Sequence, residues 1–361
     1  MNDANELISF IASMSGEGNL RVEENLGEGY VRLRVSEAER RQAKHDIQHV
    51  EDIVIEMLRN ARDAGADKVY LATTKEDGVR TLVFLDNGSG VPQDMQKRIF
   101  DARVTSKLES MKMDRWGVHG RGMALFSIKQ NTDEARVVAS DVDLGSVFKV
   151  SVATDRLGER ADQSSWPQAV KDEDGHYVCA RGPHNIIRAA CEFALEELRA
   201  CDVYLGSPSE IAATLHAQAS SRLDASRLLF IDDEAELPVV DRLGLASDAE
   251  DFIRICSGLG LEMSERTAHR ILAGQIKPVR GVTARLLRER DSSSHASAPV
   301  DLAKDRRGLR IAKDDMAQFS RAVERDFNDL ASRYYLNLCG DPKIRVSRDR
   351  ITVTFDFAKE E

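Results

Sequence analysis

From Val50 onward, apolar residues recur at the spacing of one helix face: Ile53, Val54, Met57, Leu58, Ala61 and Ala64. Gly65 closes this stretch in the way a glycine ends a helix. Upstream, Ser36 followed three residues later by Glu39 is a capping box, and it predicts a long helical region starting there. Two apolar runs follow, KVYLATT (68–74) and TLVFLD (81–86), which read as strands joined by a KEDG turn. A helix is predicted over 123–130. RVVAS (136–140) and SVFKVSVA (146–153) then form a second hairpin turned at VDLG. At the N-terminus, NELISFIASM (5–14) reads as an amphipathic helix, and 19–35 as a hairpin turned at LGEG. The order is helix, strand, strand, loop, helix, strand, strand. With strand connections this short, it predicts an α/β sandwich whose mostly antiparallel sheet is covered by helices.

The rest of the chain is patterned differently. A loop and short helix cover 87–100, and 101–122 is polar with glycines at its end. Residues 158–176 read as a polar linker. Helical patterns follow over 184–230 and, as several short helices, over 241–290. DSSSHASAP (291–299) is a flexible break. A long helix over 313–337 and a hairpin, KIRVSRDRITVTFDF (343–357), complete the chain. The expected division is therefore an N-terminal helix and hairpin (1–35), the sandwich (36–157), a mainly helical second domain (177–290), and a C-terminal helix with its β-hairpin (300–361).

Composition narrows the field. At 361 residues the chain is longer than one compact core usually holds. No apolar stretch approaches the ~20 residues that span a bilayer, and the first ten residues lack a signal-peptide pattern. The five cysteines are scattered without a C-x-x-C pair, which argues against a zinc site and fits a reducing, cytoplasmic setting. A net charge of −10 speaks against a general nucleic-acid coat. The charge is uneven, however. Arg266, Arg270, Lys277, Arg280, Arg285, Arg288 and Arg290 crowd 264–290, and Arg306, Arg307, Arg310 and Lys313 extend the basic run to 313.

Three stretches carry chemistry. In EMLRNARDAGAD (56–67), Glu56, Asn60 and Asp63 form a polar stripe at the edge of the apolar face. In LDNGSGVP (85–92), an Asp-x-Gly-x-Gly pattern follows directly on a strand. Its glycines allow a sharp turn and close approach to a ligand, and Asp86 can accept from an exocyclic amine such as that of adenine. In GVHGRGMALFSI (117–128), Gly117, Gly120 and Gly122 precede a helix, a setting whose backbone N–H groups suit phosphates. Taken alone, each reads as well as a solvated helix face, an Asn-Gly turn or an ordinary loop. Together, in this order and at these intervals, they do not.

In combination they resemble the GHKL ATPase superfamily, named for gyrase, the heat-shock chaperone, histidine kinases and the mismatch-repair ATPase. The shared elements are Glu56/Asn60/Asp63-Ala64, Asp86/Gly88/Gly90 and Gly117/Gly120/Gly122, with Gly145-Ser146 standing where the family has Gly-Thr. The resemblance covers roughly 36–155 and implies the Bergerat ATP-binding fold. It implies ATP and Mg²⁺ as cofactors, with Asn60 as the metal ligand and Glu56 as the catalytic base that activates water. It implies that Asp86 holds adenine with help from Ser146, that Asp63 and Ala64 support the nucleotide, and that Gly88, Gly90 and Val91 shape its pocket. Gly117, Val118, His119, Gly120, Arg121, Gly122 and Met123 would form the phosphate lid. Lys107 resembles a lid lysine of the mismatch-repair and type IIB topoisomerase branches.

The carboxylate at Glu56 suits hydrolysis, whereas the kinase branch generally carries Asn there. The stretch around Lys107 and GRGMALFSI are most similar to the mismatch-repair and topoisomerase VI B-subunit types, and 241–290 faintly resembles the helix-two-turn-helix insert of the latter. Lys277 is a candidate for a lysine reaching the γ-phosphate. The expectation is a Mg-dependent, slowly hydrolysing conformational switch. It would form an ATP-dependent homodimer, contact duplex DNA through the basic 264–313 region, and work with a partner subunit, without a membrane. The alternatives are a chaperone-like ATPase on a protein client and a kinase-like or non-hydrolysing ATP-binding signalling module.

Overall fold

The computed structural model describes residues 22–106, 112–114, 117–119, 122–198, 200–223, 231, 233–287, 313–334, 336–340, 342–346 and 351–359. The predicted helix at 5–14, the break at 291–299 and the basic residues Arg288, Arg290, Arg306, Arg307 and Arg310 lie outside them. The chain divides into two compact units, Met1–Ser292 and Ser293–Glu361.

The first unit is built on a five-stranded sheet of β3 (Lys68–Glu76), β4 (Val79–Asp86), β8 (Glu134–Ser140), β9 (Ser146–Ala153) and β12 (Asp202–Gly206), ordered β12-β3-β4-β9-β8. Only the β12–β3 pair is parallel. Side chains alternate across the sheet as strand geometry requires. Val69, Leu71, Leu82, Phe84, Phe148 and Val150 face one core, while Tyr70, Ala72, Val83, Leu85 and Val147 face another. The first core is closed by α2 (Val50–Asp63) and α4 (Ile186–Glu196), and the second by α5 (Pro208–Arg222), α6 (Ala249–Gly258) and α7 (Glu265–Leu272). Burial on both faces explains why β3 and β4 read as continuous apolar runs. The α/β sandwich is therefore present, with helices on either side of a mostly antiparallel sheet.

Three expectations are corrected. The helical region from Ser36 is two helices, α1 (Glu37–Asp46) and α2, because the backbone is extended at Ile47 and at His49, the N-cap of α2. The Ser36–Glu39 capping box does form at α1. Residues 158–176 are not a free linker: Gln168–Lys171 pairs with Tyr177–Arg181 as β10 and β11, and buried Glu51 of α2 accepts from Arg160 N–H and Gln163 Nε2. Residues 177–290 are not separate from the sandwich, since β12 extends its sheet and α5–α7 cover one face. The stretch 241–290 does form short helices, α6 and α7 with a further helical turn at 282–287.

A small sheet stands beside this one: β1 (Val22–Gly27), β2 (Tyr30–Leu33) and β5 (Val104–Thr105), in that order. A hairpin of β6 (Lys112–Asp114) and β7 (Gly117–His119) and helix α3 (Ala124–Asn131) follow in the chain. In the second unit, the helix α8 (Lys313–Tyr334) and two antiparallel pairs are described. The pairs are β14 (Lys343–Val346) with β15 (Ile351–Thr354), the expected C-terminal hairpin, and β13 (Leu336–Leu338) with β16 (Phe357–Lys359). Phe327 stacks on Phe355 at 4.3 Å between ring centroids.

Candidate nucleotide site

A cleft of about 670 Å³ opens beside α2 over the ends of β4 and β9. Strand parity explains its position. Asp86 shares the face of Leu82 and Phe84, and Ser146 that of Phe148, so both point toward the α2 side of the sheet. The register pairs them directly, Asp86 opposite Ser146. Both are nearly withdrawn from solvent, at 4% and 3% exposure.

The helix contributes the facing wall. Glu56, Asn60, Asp63 and Ala64 all line the cleft, as do Asp86, Gly90, Val91, Gly122, Met123 and Ser146. Glu56 accepts a bond of 2.7 Å from Arg59 Nη1. Asp63 accepts from Arg62 Nε at 3.1 Å, and Arg62 Nη1 reaches Glu197 at 3.0 Å. Burial alone would lower the Arg62 pKa, but the bonds to Glu197 and Asp63 outweigh it and hold the guanidinium above its ordinary range. The buried Nδ2 end of the Asn60 carboxamide has no hydrogen-bond partner. Nitrogen and oxygen ends of a carboxamide are assigned by their bonding, so this end is open to either orientation. A carboxamide with one unpaired end on the cleft wall, beside two carboxylates that pair with arginines, offers oxygen donors of the kind a hard divalent cation takes.

The glycines are where backbone passes backbone. A Cβ on Gly90, whose φ is +71°, would lie 1.8 Å from the Asp141 carbonyl oxygen. One on Gly145, with φ of +78°, would lie 2.1 Å from that of Asp86. Gly88 is not on the cleft wall. Its N–H donates to Asp86 Oδ1 at 2.8 Å, and its α-carbon lies against Ala64, so it orients Asp86 from behind.

Several residues of the site escaped the sequence reading. Ser140 Oγ accepts from Val91 N–H at 2.8 Å and donates to the Gly145 carbonyl at 2.8 Å, 3.2 Å from Ser146 Oγ. Arg103, with φ of +61°, donates its N–H to the Gly122 carbonyl, accepts from Leu33 N–H, and pairs through its side chain with Glu39. It thereby ties the C-terminal end of the glycine stretch to the small sheet and to the α1 capping box. Tyr30, also on the cleft, is hydrogen-bonded to Ser106, and burial holds its phenol above the ordinary range. Neither Ser140 nor Arg103 has a local sequence signal. The partners of Arg103 lie as far back in the chain as Leu33 and Glu39.

Among the lid residues, the backbone of Gly117, Val118 and His119 forms β7, while Lys107, Gly120 and Arg121 lie outside the described residues. Lys277 is exposed and does not line the cleft.

An α/β sandwich with a cleft walled by a Glu/Asn/Asp helix and floored by an Asp-glycine turn is a nucleotide-binding architecture. Residues 47–140 match the family model described as histidine kinase-, DNA gyrase B-, and HSP90-like ATPase. Over that stretch the chain is similar to the ATP-binding domains of this family. It is similar to the DNA mismatch repair protein MutL of Staphylococcus aureus, strains Newman and N315, each 28% identical over 136 residues. That alignment takes in 35% of this chain and 20% of the relative, so the likeness spans about a fifth of MutL's length. Among the described residues, no helix is long and apolar enough to cross a membrane.

Proposed function

We propose that the protein is a Mg-dependent ATP-hydrolysing switch acting in DNA metabolism. The observation that carries this reading is the cleft itself. It brings Glu56, Asn60 and Asp63 from the helix, Asp86 from the end of β4 and Ser146 from the start of β9 onto one cavity, with Gly122 at its edge.

In this reading the Asp86 carboxylate accepts from the adenine amino group, held by Gly88 behind it and flanked by Ser146. Asn60 would hold Mg²⁺, which when bound would draw charge from the triphosphate oxygens. Glu56 takes a proton from a water molecule as the water oxygen bonds to the terminal phosphorus. The bond from that phosphorus to the bridging oxygen breaks, and its electron pair leaves on ADP, giving ADP and inorganic phosphate. Gly117–Met123 and Lys107 close over the phosphates. Arg103 carries that closure to the small sheet, and segment 1–35 then pairs two subunits.

The DNA part rests on two supports. The relatives are mismatch repair proteins, and Arg266, Arg270, Lys277 and Arg280 are exposed on and just after α7. Arg285 is less suited to phosphate contact, since its guanidinium stacks on Trp166 at 3.8 Å. The test is ATP turnover with Mg²⁺, with and without duplex DNA, beside Glu56→Ala. Slow turnover that DNA stimulates and the substitution abolishes, with ATP binding retained, supports the reading. Turnover indifferent to DNA at low salt removes the DNA part. ATP bound but never hydrolysed removes the switch.

A further inference from the structure

The Glu56–Arg59 pair is built differently from an ordinary helix-surface pair. Exposed pairs three residues apart contribute little because both side chains move in solvent. Here the Arg59 side chain is only 3% exposed and that of Glu56 22% exposed, and the Nη1–Oε1 distance is 2.7 Å. A guanidinium withdrawn from water to this degree requires a carboxylate, and breaking such a pair leaves an uncompensated buried charge. Arg59 therefore keeps hold of Glu56.

Both residues line the cleft, and Arg59 immediately precedes Asn60 on the chain. Among the described residues, the other charged groups on the same cavity are Glu39 and Asp46 of α1, Asp63 of α2, Asp86 of β4, and Arg103. Arg103 pairs with Glu39, and Asp63 with Arg62. Among the described residues on the cavity, Arg59 donates to Glu56 at 2.7 Å.

Resting on the reading of Glu56 as the base, we propose that Arg59 is its positioning residue. Its guanidinium holds the Glu56 carboxylate in one orientation toward the attacking water and keeps it in the ionised form that accepts the proton. This is the arrangement of a base oriented by a third group, compressed into a single turn of helix.

The test compares Arg59→Met, Arg59→Lys and Glu56→Gln with the full-length wild type. It reads kcat and KM for ATP with Mg²⁺ across the acid-to-neutral range, with binding of a fluorescent ATP analogue and a thermal melt beside them. For Arg59→Met the expected result is a fall in kcat of roughly 10- to 100-fold, from loss of alignment, with ATP affinity unchanged. The acid limb of kcat moves up by about one pH unit, since the carboxylate loses its adjacent cation. Arg59→Lys keeps the charge, so its limb stays near wild type and much of kcat returns. If Arg59→Met melts early, Arg59→Gln replaces it, and an unmoved acid limb in that variant overturns the proposal. Unchanged or raised kcat in Arg59→Met overturns it too, while an inactive Glu56→Gln leaves the base reading standing. Full activity in Glu56→Gln instead removes the base reading itself.

Discussion

Replacing Ser140 by Ala deletes one oxygen from the buried junction behind the nucleotide cleft. That oxygen accepts from Val91 N–H and donates to the Gly145 carbonyl, both at 2.8 Å. Loss of the hydroxyl strands a buried donor and a buried acceptor, and each stranded group costs roughly 1–3 kcal/mol. The hole left by one oxygen is smaller than the volume a water needs, so solvent does not restore the bonds. The expected loss of stability is about 2–6 kcal/mol, read as a shift in the urea midpoint. Ser220→Ala is the control: its hydroxyl bonds only the His216 carbonyl of its own helix and is exposed, so its cost stays within about 0.5 kcal/mol. Val91 and Ser146 both line the cleft and both touch Ser140, so affinity for a fluorescent ATP analogue should fall about tenfold, or roughly 1.4 kcal/mol. A Ser140→Ala protein with the midpoint of Ser220→Ala and undiminished ATP binding would refute the role given to this junction.

Gly145→Ala should cost more than Ser140→Ala and lower the yield of folded protein, because φ is +78° and the new methyl would meet the Asp86 carbonyl at 2.1 Å; a normal melt would contradict this. Thiol titration of the native protein should show one fast group of the five, the exposed Cys339. The other four are buried, with burial pushing Cys201 and Cys256 up to about 12, and all five should react once urea is added. Burial alone would raise the Glu159 pKa, but the bonds from Arg80 and Lys75 outweigh it and hold the carboxyl below its ordinary value. A lowered folded-state pKa stabilises the protein above the unfolded pKa and ceases to do so as pH falls through the folded value. Glu159→Gln should therefore destabilise by about 1 kcal/mol at neutral pH and by nothing measurable in strong acid; an equal cost at both would be contrary.

Legibility in the sequence followed the range of the interactions. The helix carrying Glu56 and Asn60 could be read because its core face repeats every turn, and β3 and β4 because burial on both sides leaves them apolar throughout. The glycines at 90 and 145 stood out because another backbone passes where a side chain would be. By contrast, β12 is five residues between helices and joins β3 in parallel across the chain, so nothing local marks it. The β10–β11 pair is made of mostly exposed strands, with no alternation strong enough to separate it from a linker. Arg59 was visible as a residue, but its withdrawal from solvent was not, and that withdrawal is what distinguishes it from a surface arginine.

In the proposed function this cleft holds the adenine nucleotide, with Asp86 reading its amino group. The most direct measurement is a calorimetric titration of the full chain with ATP and with GTP in Mg²⁺, repeated on Asp86→Asn. The expected result is one ATP site per chain, GTP binding at least about 100-fold weaker because it offers a carbonyl where adenine has the amine, and a large loss of ATP affinity in the variant. Equal binding of ATP and GTP, or ATP affinity intact in Asp86→Asn, would contradict it.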